Sequence, residues 1–421
     1  MEAIWIQGGN RLEGSIPIHG AKNSALKLMA AALLTDRPCG LDNVPDIRDV
    51  RMMVQILEGL GAQVRREGDS LFIEARELGT EAPPEPVREM RAGIQVMGPV
   101  VARKGRIRIF HPGGCSLGPR PIDFHLRGLE AMGARVREEY GFIIVEAERL
   151  QGTDIYLDFP SVGATENLLM AAVLAEGTTV IHNAAREPEI GDVERFLNQC
   201  GARVSGAGTG VIRVEGVSAV QGTNYQVMPD RIETATFLVV AAAAGADLTL
   251  RPAPVVHLEA VLAKLSQIGV DWESPDPSTL RVRSRGAMRE MYRPVHIRAL
   301  PYPGFPTDVQ PQITALLTLA RGTSIVSDEV HSARFGYADE LRRMGAQIWV
   351  DGRTAVIKGG SHLTGARVTA GDLRGGAALI VAALAAEGES LIEGVQHIDR
   401  GYAKLEERLQ HAGARIRRLE V

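Results

Sequence analysis

The chain has 421 residues, enough for two or three domains with sizeable cores. Its 47 Lys+Arg against 51 Asp+Glu give a formal net charge of −4, which argues against nucleic acid or a membrane surface as a general partner. No apolar run reaches the roughly 18–20 residues of a membrane span, and Met1-Glu2-Ala3-Ile4-Trp5 lacks a signal-peptide pattern, so a cytoplasmic globular protein is expected. Cys39, Cys115 and Cys200 form no CxxC pair and the ten His are scattered, which leaves neither a disulfide framework nor a metal site to expect.

In chain order, two strand-like stretches, Ile4–Ile6 and Leu12–Ile18, precede an apolar helix that runs from Ala25 to Leu34. An amphipathic helix follows, with Ile47, Val50, Met53, Val54, Leu57 and Leu60 on one face. It ends at Gly61, and this order then recurs. A Gly after an apolar or small residue, followed by a strand-like stretch, returns at Gly133, Gly201, Gly269, Gly345 and Gly413. Each Gly suits the position just past a helix end, where a left-handed backbone costs a glycine least. The apolar helices Leu168–Leu174, Phe237–Ala244 and Ala377–Ala386 repeat the first, as Ile190, Val193, Phe196, Leu197 and Cys200 repeat the amphipathic face. The first helix of each copy is apolar all round and should be buried; the second should be half exposed.

The sixth copy stops early, at Arg415–Val421, without its closing strands. Residues 4–18 match the stretch Phe142–Tyr156 and are expected to complete it. Six units divide into a continuous lobe, residues 21–228, and a lobe closed by both chain ends, residues 1–20 with 229–421. The expected fold is α/β, with three copies of one unit in each of two lobes and the active site in the cleft between them.

The starts of the buried helices are unusually polar: Lys22-Asn23, Arg91, Ser161-Val162-Gly163, Arg231, Asp308, and Asp372 with Arg374. Capping accounts for Asp372 or Thr307 taken singly. Lys22, Arg91 and Arg231 oppose the helix dipole and call for an acidic partner or an anionic ligand. The loop His111-Pro112-Gly113-Gly114-Cys115-Ser116-Leu117-Gly118-Pro119-Arg120-Pro121 is rich in Gly and Pro, a lid candidate of the continuous lobe. Cys115 there, near Arg120, reads either as a thiol of lowered pKa, an acid or nucleophile, or as an inert loop residue. Gly114-Cys115-Ser116-Leu117-Gly118 fits GxSxG, but Pro119 and Pro121 follow where a nucleophile elbow needs a helix. Gly206-Ala207-Gly208-Thr209-Gly210 lies between strands and reads as a turn.

Taken in order, Gly20–Asn23, Met90–Ala92, Pro112–Cys115 with Gly118–Pro121, Ser161–Thr165, Ala184–Glu189, Pro229–Thr234, Phe305–Asp308, Asp372–Arg374 and His397–Tyr402 resemble the enolpyruvyl transferases along essentially the whole chain. The resemblance implies a pair of inside-out, barrel-like α/β lobes. It implies transfer of enolpyruvyl from phosphoenolpyruvate to the 3′-hydroxyl of UDP-N-acetylglucosamine with release of phosphate, the opening step of peptidoglycan precursor synthesis. No cofactor or metal is implied, and a monomer is expected. Lys22, Arg120 and Arg400 match phosphate contacts, Arg334 and Arg374 would hold the carboxylate, and Asn23 lies beside both substrates. Cys115 would protonate the methylene carbon and Asp308 would accept the sugar hydroxyl's proton. Asn23, Arg91, Arg120, Pro121, Ile122, Asp123, Phe124, Ser161, Val162, Gly163, Asp308 and Val330 match positions that line the nucleotide sugar.

The sequence departs from the family in places. Val330-His331-Ser332-Ala333 stands before Arg334 where many members carry Phe-Glu-Asn, and Gly93 and Gln95 replace a Ser and an aromatic residue of some members. These changes bear on the nucleotide-sugar pocket. The alternatives are enolpyruvyl transfer to another nucleotide or to shikimate 3-phosphate, or a catalytically idle nucleotide-sugar sensor. A sensor would be expected to lose Lys22, Cys115, Asp308 or Arg400, and all four stand.

Overall fold

The structure is a computed structural model that describes residues 2–113, 122–284 and 292–420. The expectations placed on Cys115, Arg120 and Pro121 therefore lie outside the described residues. The chain divides into two compact units, one running from Gly20 to Met228, the other combining the residues before Gly20 with those from Pro229 onward.

Each unit is built from buried helices and separate small sheets; no sheet closes into a barrel among the described residues. In the unit Gly20–Met228 the core helices are Lys22–Ala31, Met97–Lys104 and Val162–Ala172. In the other they are Arg231–Ala244, Gln310–Leu317 and Leu373–Ala385, which pack on one another. All of Arg231–Ala244 is buried; the stretch Phe237–Ala244, apolar on every side, requires this, and the polar start with Arg231, Glu233, Thr234 and Thr236 is buried with it. The alanines of this helix and of Leu373–Ala385 let backbones approach where longer side chains would hold them apart. The second helix of a copy is half buried. Pro188–Gln199 turns Ile190, Val193, Phe196 and Leu197 inward. In Arg48–Gly59 the buried face is Val50, Met52, Met53, Ile56 and Leu57, while Val54 is only half-buried, a small rotation from the expected stripe.

The six repeat glycines all adopt a left-handed backbone, with φ between 90° and 100° at Gly61, Gly133, Gly201, Gly269, Gly345 and Gly413. There an L side chain would be strained. The chain leaves each helix through this turn directly into an antiparallel strand pair, such as Gln63–Glu67 with Ser70–Glu74.

A full sheet follows one plan, seen in Asp154–Tyr156, Thr178–His182, Val211–Glu215 and Arg203–Ser205. The first two strands pair in parallel, and the last two form an antiparallel hairpin against them. The last sheet keeps this plan by borrowing. Glu2–Gln7 pairs antiparallel with both Glu389–Glu393 and Arg415–Glu420, filling the strand that the sixth copy lacks. The second N-terminal strand goes elsewhere, contrary to the expectation that all of residues 4–18 completes the sixth copy. Glu13–Pro17 pairs in parallel with Asp247–Arg251 and opens the sheet of the fourth copy. Asn224–Gln226 does the same for the first copy, in parallel with Cys39–Asp42. Cys39 and Cys200 are buried free thiols of the core. The glycines 206 and 208 sit with positive φ between Arg203–Ser205 and Val211–Glu215, a turn as expected. No helix among the described residues is long and apolar enough to cross a membrane.

Candidate active site

A dense polar cluster lies where a short 3-10 turn, Thr307–Val309, leads into Gln310–Leu317. Asp308 occupies that turn. Arg334 Nη1 donates to Asp308 Oδ1 at 2.6 Å, and Arg374 Nη2 donates to Oδ2 at 3.1 Å. Both guanidiniums are nearly fully buried, at 4% and 5% side-chain exposure, while Asp308 keeps 23%. Burial alone would push the Asp308 carboxyl up. The charges of Arg374 and Arg334 outweigh it and hold the carboxyl well below the usual carboxylate range.

The supports around the cluster are themselves fixed. Asp372 caps Leu373–Ala385 by accepting from the Arg374 and Gly375 N–H groups at 2.9 and 3.0 Å, which sets where Arg374 starts. Burial works against the charge of Arg374, but Tyr402, Asp308 and Asp230 hold it protonated. Arg374 Nη1 donates to Tyr402 Oη at 3.1 Å, and Tyr402 Oη pairs with Thr236 Oγ1 at 2.8 Å. On the other side Arg334 Nη1 also donates to Thr307 Oγ1, which donates to Asp328 Oδ2 at 2.6 Å. Thr307 is thus a link in a chain of hydrogen bonds and caps no helix. Asp328 Oδ1 accepts from the Val330 and His331 N–H groups at 2.9 and 2.7 Å, so the segment that departs from the family is tethered at its start. Arg334 Nε is buried with no hydrogen-bond partner among the described residues. A buried donor left unmade costs about 1–3 kcal/mol. Arg400 lies just after the short helix Val395–Ile398.

In the unit Gly20–Met228 the helix starts gather the other expected residues. Lys22 begins Lys22–Ala31 without a capping side chain and reaches Asp49 at 2.8 Å, an acid in the first turn of Arg48–Gly59. The dipole conflict at Lys22 is thus met by a carboxylate. Asn23 follows on the same turn. Arg91 opens the 3-10 helix Arg91–Val96. Ser161 caps Val162–Ala172, its Oγ accepting the Ala164 N–H at 3.4 Å, with Val162 and Gly163 as the first helical residues. Ile122 precedes Asp123–Ala131. Asp123 in its first turn pairs with Arg127 at 2.6 Å, and the Arg127 guanidinium lies 5.1 Å from the centre of the Phe124 ring.

Expected Asp308, Arg334 and Arg374 come together. Tyr402, Thr307 and Asp328, which hold them, carry no sequence signal of a site role, although Tyr402 closes the segment His397–Tyr402 and Asp328 stands two residues before Val330. Within the core helices Lys22–Ala31 and Val162–Ala172, Lys27 and Glu166 form a buried pair at 3.3 Å that no sequence signal singles out. Burial pushes Glu166 up to about 7, Lys27 opposes it, and Glu189 adds to the rise. No group of three or more His, Cys, Asp or Glu that could hold a metal occurs among the described residues.

Residues 6–409 match the family described as EPSP synthase (3-phosphoshikimate 1-carboxyvinyltransferase). The chain is 53% identical over 425 residues to UDP-N-acetylglucosamine 1-carboxyvinyltransferase 1 of Symbiobacterium thermophilum, covering 99% of this chain and 95% of that protein. It is 49% identical over 421 residues to UDP-N-acetylglucosamine 1-carboxyvinyltransferase 2 of Carboxydothermus hydrogenoformans, covering 100% of each. Among solved structures it is similar to the enolpyruvyl transferase NikO of Streptomyces tendae, with a TM-score of 0.90 at 26% identity over 100% of this chain and 99% of that one. EPSP synthase of Acinetobacter baumannii, at 20% identity and a TM-score of 0.76 over 100% of each chain, shares the fold.

Proposed function

The chain belongs to the EPSP synthase family of enolpyruvyl transferases, and from that premise we propose that it transfers enolpyruvyl from phosphoenolpyruvate to the 3′-hydroxyl of UDP-N-acetylglucosamine. The observation that carries the chemistry is the carboxylate of Asp308 between two buried guanidiniums, one of which keeps an unmade donor. The acceptor is supported by full-length relatives at about half identity that are named for this nucleotide sugar.

Phosphoenolpyruvate brings a phosphate and a carboxylate, so its site needs several fixed cations. Arg334 and Arg374 would take the carboxylate, and Lys22, Arg120 and Arg400 the phosphate. Cys115 would deliver a proton to the methylene carbon, which leaves an electrophilic carbon bearing the phosphate and carboxylate. The 3′-oxygen would bond to that carbon as its proton passes to Asp308, giving a tetrahedral ketal. Loss of a methyl proton and rupture of the carbon–oxygen bond to phosphate would then regenerate the vinyl group and release phosphate.

The electrostatics favour an ordered gain of basicity. Paired with both arginines, Asp308 is a poor base. Once the substrate's anionic groups share those guanidiniums, their hold on Asp308 weakens and its affinity for a proton rises toward what catalysis needs. Asn23, Arg91, Ile122 to Phe124, Ser161 to Gly163 and Val330 would line the nucleotide sugar. A phosphate-release assay with phosphoenolpyruvate tests the reading. Release is expected with UDP-N-acetylglucosamine, and release with shikimate 3-phosphate in its place would overturn the choice of acceptor.

A further inference from the structure

Lys22–Ala31 carries two expected site residues, Lys22 and Asn23, in its first turn, yet it begins without a capping side chain among the described residues. Three other core helices start on a cap of their own: Ser161 before Val162–Ala172, Asp230 before Arg231–Ala244 and Asp372 before Leu373–Ala385. An uncapped helix start frays most readily, and fraying here would displace the residues that meet the substrates.

The hold comes from a carboxylate far along the chain. Asp192 lies in the second turn of Pro188–Gln199 and is 1% exposed. Its Oδ2 accepts from the hydroxyl of Ser24, the third residue of Lys22–Ala31, and from the Met228 N–H at 3.2 Å. The Met228 carbonyl in turn accepts the Ala21 N–H at 2.7 Å. One carboxylate oxygen thus grips the first turn on both flanks, directly at Ser24 and through Met228 at Ala21. The other oxygen is fixed from behind, where Oδ1 accepts from Tyr225 Oη at 2.7 Å and from Arg195 Nη2 at 2.9 Å. Those two bonds do not reach Lys22–Ala31.

Burying a carboxylate costs several kcal/mol before its partners offset it, and an apolar side chain would fill the same space at lower cost. What an apolar side chain lacks is direction. The pair of Lys22 with Asp49 does not supply it either, because the four-carbon stem of Lys22 lets the ammonium keep its partner while the helix start shifts. Asp49 sets the charged head, and Asp192 sets the backbone from which it springs. We propose that Asp192 is a positioning residue for enolpyruvyl transfer, taking the place of the missing cap and fixing where Lys22 meets the phosphate of phosphoenolpyruvate. The proposal rests on the reading of the reaction given above.

Steady-state phosphate release with UDP-N-acetylglucosamine and varied phosphoenolpyruvate, paired with urea denaturation, tests it on four variants. Asp192→Leu is expected to lower kcat/KM for phosphoenolpyruvate about tenfold or more, since a misplacement of about 1 Å can cost up to about 10². Asp192→Asn should recover most of that loss, its amide oxygen turned toward the Met228 N–H, which can only donate. Ser24→Ala and Tyr225→Phe form a matched pair: each removes one hydroxyl from the same carboxylate, but only the first frees Lys22–Ala31. Both should lower the urea midpoint. Ser24→Ala alone should lower kcat/KM, about threefold or more, while Tyr225→Phe stays within about twofold. Alanine favours a helix over serine, so that loss would not be one of helix propensity. Should Asp192→Leu not fold, the matched pair decides. Equal kcat/KM in Ser24→Ala and Tyr225→Phe, or an Asp192→Asn as poor as a folded Asp192→Leu, overturns the proposal. A wild type that releases no phosphate from phosphoenolpyruvate overturns the reading of the reaction instead.

Discussion

At the start of Gln310–Leu317 one carboxylate, Asp308, meets two guanidiniums; inside Lys22–Ala31 and Val162–Ala172 one ammonium, Lys27, meets Glu166, with Glu189 and Glu187 close enough to act on it. Both acids are held among buried helices, and burial pushes both up. Asp308 nevertheless ends well below the usual carboxylate range and Glu166 near 7. The difference lies in the count of charges around each acid. Two cations override desolvation, whereas one cation shared among acids does not. The first arrangement keeps a carboxylate charged between two cations, and the second holds a proton inside a core.

The largest effect is expected on the Asp308 side. Asp308→Ala should lower turnover on the order of 10²–10⁴, the usual worth of a general base, while affinity for UDP-N-acetylglucosamine stays within about tenfold. It should also lower stability, since two buried guanidiniums lose their carboxylate. Steady-state kinetics with urea denaturation separates the two. Normal turnover in a destabilised protein would make Asp308 a structural tether only.

Arg374→Met sharpens the same contrast. With one of two cations gone, the Asp308 carboxyl should move back up, and the acid limb of the pH–rate profile should move with it. The KM for phosphoenolpyruvate should rise about tenfold or more, since a charged hydrogen bond to the substrate is lost. An unmoved acid limb would separate Asp308 from the group that titrates.

Much of this was open to reading from the chain alone. The repeat glycines follow from a helix end that must turn left-handed, so Gly61 through Gly413 mark six copies without any structure. The all-apolar helices announce their burial. The place of Glu13–Pro17 was not legible, because its parallel partner Asp247–Arg251 lies far along the chain and parallel pairing leaves no turn signal. Asp308, Arg334 and Arg374 came as a group only through family resemblance, since three residues so distant in sequence carry no spacing that links them. Lys27 and Glu166 escaped for another reason: a single charge within or beside a helix that reads as apolar carries no sign of its partner, and only packing brings the two together.

A smaller effect belongs to Glu166. The folded state holds its proton up to about pH 7, while the unfolded chain gives it up near the ordinary 4.5. Folding therefore takes up a proton in that window, and the stability this contributes is full below it and lost as pH rises through 7. The loss is on the order of 3 kcal/mol at most. Glu166→Gln keeps the shape without the charge and should flatten the dependence of the urea midpoint between pH 5 and 8. A slope identical to the wild type would remove Glu166 as its source.

The smallest effect, and the one that isolates the count of charges, comes from Lys27→Met. Near pH 6 Glu166 carries its proton, so Lys27 sits beside a neutral acid and its removal deletes little attraction. Near pH 8 the acid is ionised, and removing Lys27 leaves a buried carboxylate with Glu189 as a like-charged neighbour. Glu166 should answer by holding its proton to higher pH, which caps the penalty at the cost of keeping that proton, about 1.4 kcal/mol per pH unit. Lys27→Met should therefore cost about 1 kcal/mol more at pH 8 than at pH 6, measured as the difference between urea midpoints. A cost equal at both values would mean that Glu166 is already ionised at pH 6. The contrast with Asp308 would then be one of degree, since a single buried ammonium would suffice to hold a carboxylate charged.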